Sequence, residues 1–112
     1  MAEVVWSEPA IADLDAIADY IAIENPRAAA AFVASVFVHV ERLADHPASG
    51  RRPPELPGSR YREIVEPPCR VFYRHEGPRV LIVHVMRFER LLRIERLGVR
   101  ARTAGNRPRD CD

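Results

Sequence analysis

Lysine is absent from the 112 residues, so all 17 Lys/Arg positions are arginine. That excludes chemistry built on an amine of tunable pKa and leaves planar guanidinium forks, which suit carboxylate or phosphate. Cysteine is scarce, with Cys69 at the head of a predicted strand and Cys111 near the end of the chain. Two thiols so placed make neither a disulfide framework nor a zinc ligand set. No apolar run approaches the roughly 20 residues of a membrane span. The opening Met1-Ala2-Glu3 is acidic and lacks a basic n-region. A soluble, cytoplasmic protein without metal or cofactor is expected.

Hydrophobic residues make up 47% and charged residues 29%, the balance of a globular domain. The net charge of +1 conceals a division along the chain. Residues 1–50 carry two arginines against eight acids (−6), and residues 51–112 carry fifteen arginines against eight acids (+7). Either the basic half meets an anion or acidic partner, or the two halves neutralise each other on folding.

Val4-Val5-Trp6 reads as a short strand, and Ser7-Glu8-Pro9 as a helix start: a hydroxyl cap, then an acid and a proline in the first turn. Ile11, Leu14, Ile17 and Ile21 recur at three to four residues, with Asp13, Asp15 and Asp19 assigned to an acidic outer face. Asn25-Pro26 stops this helix and starts a second, which is expected to run to about His46 before Pro47. Phe32, Val36, Val40 and Leu43 mark its inner stripe. Val33, Phe37 and Val38 widen the apolar face, either for a partner or for burial under the C-terminal segment. The β-branched stretch from Phe32 to Val40 would also pass for a strand.

Residues 47–58, with four prolines and two glycines, form a loop that exposes Arg51 and Arg52. From Ser59 to Arg90 three strands in meander order are separated by Pro67-Pro68 and Gly77-Pro78. Consecutive apolar residues in Val71-Phe72-Tyr73 and Val80-Leu81-Ile82-Val83 imply a sheet covered on both faces. A short helix is expected over 87–97, with Arg87, Arg90, Arg93 and Arg96 as a basic stripe. The domain is placed at 1–97 and a flexible tail at 98–112. The fold class is α+β: a helix hairpin on a small, mainly antiparallel sheet in the order strand-helix-helix-strand-strand-strand, with a short C-terminal helix.

Within that order lie Val5-Trp6-Ser7-Glu8-Pro9-Ala10, Asp45-His46-Pro47 with Gly50-Arg51, Tyr61-Arg62-Glu63-Ile64 and Arg70-Val71-Phe72-Tyr73-Arg74. Over roughly residues 3–95 the chain resembles the ParE/RelE superfamily of type II toxin–antitoxin toxins. The resemblance implies a plasmid-stabilisation or growth-inhibition toxin neutralised by a ParD- or RelB-like antitoxin with an acidic, amphipathic C-terminal segment. Higher-order toxin–antitoxin assembly is implied as well.

RelE-like members cut mRNA on the ribosome, whereas ParE-like members poison DNA gyrase without being nucleases. RNA cleavage needs groups to move protons and cations to hold the phosphate. The RelE-like strand-three arginine falls at Arg70, its lysines near Arg62 and Ile64, its later arginine at Phe88 and its tyrosine at about Ile94, so most of that site is missing. Arginine stays protonated and makes a poor general base. His84, with Glu63 or Glu66, could act as acid or base, or be a satisfied sheet histidine on the face of Val80, Ile82 and Met86. His75 reads as a turn residue, and His39 and His46 belong to the second helix.

The ParE-like branch is therefore favoured, with Arg87 and Arg90 where that pattern ends its last strand in a histidine and an arginine. Target-binding residues are assigned to Arg62, Arg70, Tyr73, Arg87 and Arg90. Antitoxin-binding residues are assigned to Val33, Phe37, Arg74, Arg87 and Arg90. In the nuclease alternative the catalytic set is Arg70, His84 and Arg87. For Arg62 and Arg70 a second role is open: tying the sheet to loop carbonyls or to an acid such as Glu63.

Overall fold

The structure, a computed structural model, describes residues 1–88. Strand β1 (Glu3–Trp6) leads into helices α1 (Glu8–Glu24) and α2 (Pro26–Glu41), and a single 3-10 turn, Arg42–Ala44, closes the hairpin. Strands β2 (Tyr61–Glu66), β3 (Cys69–Glu76) and β4 (Arg79–Arg87) follow. The sheet order is β1-β4-β3-β2, with β1 parallel to β4 and the other neighbours antiparallel.

Local chemistry sets these boundaries. The Ser7 hydroxyl accepts the amide of Ala10 at 3.1 Å, as an N-cap must, and Pro9 occupies the first turn. Asn25 serves both helices: its amide donates to the Ile21 carbonyl at 3.0 Å and its side chain accepts from the Ala28 amide at 3.0 Å. The stretch from Phe32 to Val40 is helix, because Phe32, Val36 and Val40 then fall on one buried stripe. That helix stops five residues short of the expected His46, where the chain tightens into the 3-10 turn and Leu43 still reaches the core. Gly77 turns β3 into β4 with φ at +54°, a conformation open to glycine.

Apolar residues fill both faces of the sheet. Toward the helices, Ile64, Val71, Tyr73, Val80, Ile82 and Val85 pack with Leu14, Phe32, Val36 and Val40. On the other face Phe72, Leu81, Val83 and Met86 pack with Tyr61 and with Leu56 from the proline-rich loop. A register shift opposite Phe72 and Tyr73 breaks the alternation of β4. Ile82 and Val85 consequently share the helix side while Met86 lies on the other, which corrects the face assigned to His84. Arg87 is the last residue of β4, not the first of a helix, and the rest of the expected helix over 87–97, Arg90 included, and the tail 98–112 lie outside the described residues.

Gly50 sits where the chain leaves no room for a side chain. A Cβ there would stand 2.6 Å from the Tyr73 hydroxyl, 2.7 Å from its ring and 2.8 Å from the Glu63 carbonyl. Gly50→Ala should cost about 1–3 kcal/mol and lower the melting temperature by several degrees; thermal unfolding of the two proteins checks it.

Candidate functional site

The loop over 47–58 is fastened to the sheet more firmly than a solvated loop. The Arg51 amide donates to the Glu63 carbonyl at 3.0 Å and the Glu63 amide to the Arg51 carbonyl at 2.8 Å, so Arg51 pairs with the outer edge of β2. Its guanidinium also pairs with the Glu63 carboxylate, and among the described residues only Arg52 of the two loop arginines lacks an acidic partner. Tyr73 completes the attachment from beneath: its hydroxyl donates to the Pro47 carbonyl at 2.7 Å and accepts from the Gly50 amide at 2.9 Å. Burial pushes the Tyr73 phenol above its ordinary pKa. Tyr73 is fully buried, so the structure gives it a bracing role and keeps it from any target surface.

Arg70 is likewise turned inward. Its Nε donates to Glu63 at 2.6 Å, and its two terminal nitrogens grip Glu55 at 2.8 and 2.7 Å. Its side chain is 9% exposed and that of Glu63 not at all. The Arg70 hydrogen bonds hold the Glu55 carboxyl down at about 2, against an ordinary 4.5. Glu55, and after it Glu63, hold the Arg70 guanidinium above its usual range. Of the two roles open for Arg70 the structure shows the internal one, the guanidinium being engaged by Glu63 and Glu55. Arg62 follows the same pattern more loosely, half-buried and donating to the Gly50 carbonyl at 2.8 Å.

His84, on the strand next to Arg70, pairs across with Phe72 and stacks on its ring at 5.8 Å, while the Arg70 guanidinium lies over the same ring at 4.8 Å. The His84 Nδ1 lies 2.7 Å from the Asp13 carboxylate, which also accepts the Val85 amide at 3.1 Å. Asp13 therefore faces the sheet and not the acidic outer face assigned to it. Arg74 pairs with Glu76 and lies over the Tyr61 ring at 5.8 Å. Arg87 covers the Tyr20 ring at 4.5 Å. On the hairpin Val33 is half-buried against the core, while Phe37 remains 42% exposed with its ring 5.2 Å from Trp6. A groove of about 410 Å³ between α2 and the end of β2 is lined by Ala34, Ser35, Val38, His39, Arg42 and Glu66. A 3.0 Å contact between His39 and Glu66 crosses it. Among the described residues no group of three or more His, Cys, Asp or Glu side chains could hold a metal ion, and no helix is long and apolar enough to cross a membrane.

The roles of Arg51, Glu55 and Asp13 are not legible in the sequence. Glu63 stands out there as an acid for Arg70, but its burial between two guanidiniums is signalled only by an acid alternating with apolar residues in a predicted strand.

A helix hairpin on one face of a four-stranded mixed sheet, with a loop wired to the sheet edge by arginines, defines a compact α+β domain. The family model described as ParE toxin of the type II toxin–antitoxin system parDE matches residues 4–92, and the chain belongs to that family. It is 35% identical over 96 residues to Toxin RelE2 of Caulobacter vibrioides, covering 84% of this chain and all of the relative. It is 38% identical over 69 residues to Putative toxin Y4kP of Sinorhizobium fredii, covering 62% of this chain and 71% of that one. A solved structure described as the chromosomal ParDE TA system from P. aeruginosa superposes with a TM-score of 0.66 at 30% identity, over 80% of this chain and 98% of the other.

The wiring of Arg70 predicts two outcomes. Arg70→Leu leaves Glu63 with only Arg51 and should lower unfolding stability by on the order of 3 kcal/mol, read from denaturant titration. Because the Glu55 carboxyl is depressed, its contribution is complete above its ordinary 4.5 and lost as the pH falls toward 2. Thermal unfolding across that window should therefore fall less steeply in Glu55→Gln than in the parent.

Proposed function

We propose that this toxin of a type II toxin–antitoxin system acts as a gyrase-inhibiting binder of the ParE kind and is neutralised by a cognate antitoxin. The observation that carries the reading is that each of the two groups a nuclease would have to combine is already held by internal acids. Arg70 and His84 flank the same Phe72 ring, but Arg70 is gripped by Glu55 and Glu63, and His84 by Asp13 on α1. Proton transfer to and from a 2′-hydroxyl needs groups free to meet one substrate atom, and these tethers turn both toward acids of the fold. Arg87, at the end of β4, and the neighbouring Arg90 remain the residues assigned to the gyrase contact, with Arg62 subsidiary.

For the antitoxin, the exposed Phe37 and Val38 and the groove beside them offer an apolar bed with polar walls, which suits an amphipathic segment. Val33 supports that bed from within, while Arg74 and Arg87 supply charge at the sheet. The solved relative described as a ParDE system supports a ParD-like partner.

The test is a supercoiling assay with purified gyrase and the full-length chain. Inhibition with trapped cleavage complexes, unaffected by His84→Ala, is expected. The name of the Caulobacter relative, Toxin RelE2, keeps a second outcome in view. Codon-phased mRNA cuts on translating ribosomes, abolished by His84→Ala in a folded protein, would replace the gyrase reading with the endonuclease one.

A further inference from the structure

The acids and guanidiniums of the loop corner do not balance. Arg51 and Arg70 together neutralise Glu55 and Glu63 in one connected cluster of two cations and two anions. Arg52, Arg60 and Arg62 are then left over: among the described residues none has a carboxylate within ion-pair distance. Arg52 donates to the Ser59 carbonyl at 2.5 Å and Arg62 to the Gly50 carbonyl at 2.8 Å. Each of those two spends one such bond on the loop, whereas a guanidinium has five N–H donors.

Chain continuity brings two of these cations to the same edge: Arg51 and Glu63 form an isolated antiparallel bridge, and Arg52 follows the one while Arg62 precedes the other. Like charges brought close at an edge repel. The two reach in opposite directions along the edge, one to Ser59 and the other to Gly50. Arg60 stands two residues before Arg62, exposed at the entry to β2.

We propose that this corner binds the phosphate backbone of duplex DNA through Arg52, Arg60 and Arg62. The surroundings decide the class of partner. None of the large exposed apolar residues falls between positions 47 and 62, so the corner lacks the apolar centre of a protein–protein contact. Its aromatic residue, Tyr61, is buried and offers no ring on which an unstacked base could lie. A row of guanidiniums with neither feature suits a regular line of phosphates. The choice of DNA over RNA rests on the gyrase reading, in which the toxin would meet DNA beside the enzyme.

The experiment measures binding of the full-length chain to a labelled duplex by fluorescence anisotropy over a range of salt concentrations, with no gyrase present. The double variant Arg52→Gln/Arg60→Gln, which leaves the Arg62–Gly50 tie in place, should bind about tenfold more weakly at low salt. The slope of log affinity against log salt should become shallower by about 2, near 0.9 for each phosphate that is no longer neutralised. A charge-matched control, Arg27→Gln/Arg79→Gln, should bind as the parent does. An equal weakening in the control would show bulk charge alone and overturn the proposal. Stronger binding to polyglutamate than to the duplex would point to an acidic protein instead, and stronger binding to duplex RNA would overturn the DNA assignment. Because supercoiling inhibition is scored separately, a chain that inhibits gyrase but does not bind the duplex refutes this site alone.

Discussion

A carboxylate with no exposed surface, Glu63, sits on the edge strand of the sheet with a guanidinium on either side. Uncompensated, a buried ion of that size costs several kcal/mol, so the surrounding chain has to bring it cations. Arg70 arrives from the neighbouring strand and Arg51 from the loop. Glu55 then closes on the far side of Arg70, so the proline-rich segment is bound at 51 and again at 55. Leu56 follows directly and is carried into the apolar cluster on the sheet's second face. The fastening of the loop, the burial of Leu56 and the occupation of Arg70 all follow from one acid placed in a strand.

A second carboxylate does comparable duty between layers. Asp13 leaves the solvent side of α1 to meet the His84 ring and the Val85 amide. The register shift between β3 and β4 falls at this place, and a shift of that kind interrupts the ladder and leaves backbone groups to be satisfied elsewhere. The same shift sends Met86 to the opposite face from the one strict alternation predicts, and the helix hairpin is held to the sheet by a polar contact as well as by its apolar stripe.

Elements defined by local chemistry were legible in the sequence: the Ser7 cap, the Asn25-Pro26 junction, the two-sided strands and the turn at Gly77 each rest on residues a few positions apart. The resemblance located the fold class on the same motifs. What stayed hidden depends on pairing at a distance. Asp13 and His84 are 71 residues apart, and Arg70 and Glu55 are 15 apart across a loop without regular structure. Helical periodicity assigned Asp13 to water because it reads only the angle around the helix, whereas a half-exposed acid can turn toward a donor in the next layer. Tyr73 was legible as a strand residue but not as the brace of the loop, since nothing local shows where a phenol in a two-sided strand will find its acceptor.

The charge asymmetry is resolved in a way that bears on partners. The pairs Arg51–Glu63, Arg70–Glu55, Arg70–Glu63, Arg74–Glu76 and Arg79–Glu76 all join residues of the basic half. Meanwhile Glu8, Asp15, Asp19 and Glu24 of the acidic half remain exposed on α1. These pairings satisfy the basic half from within and leave its surplus arginines at the surface. Fields of opposite sign on different elements of so small a body orient it before contact, within the roughly 10 Å over which salt lets a surface charge be felt. On these fields a polyanion would be repelled by the outer side of α1 and drawn to the loop corner, whereas the exposed apolar residues of α2, Phe37 and Val38, lie on a different element. Charge and apolar surface are thus divided between elements, because the internal acids fix which guanidiniums remain at the surface.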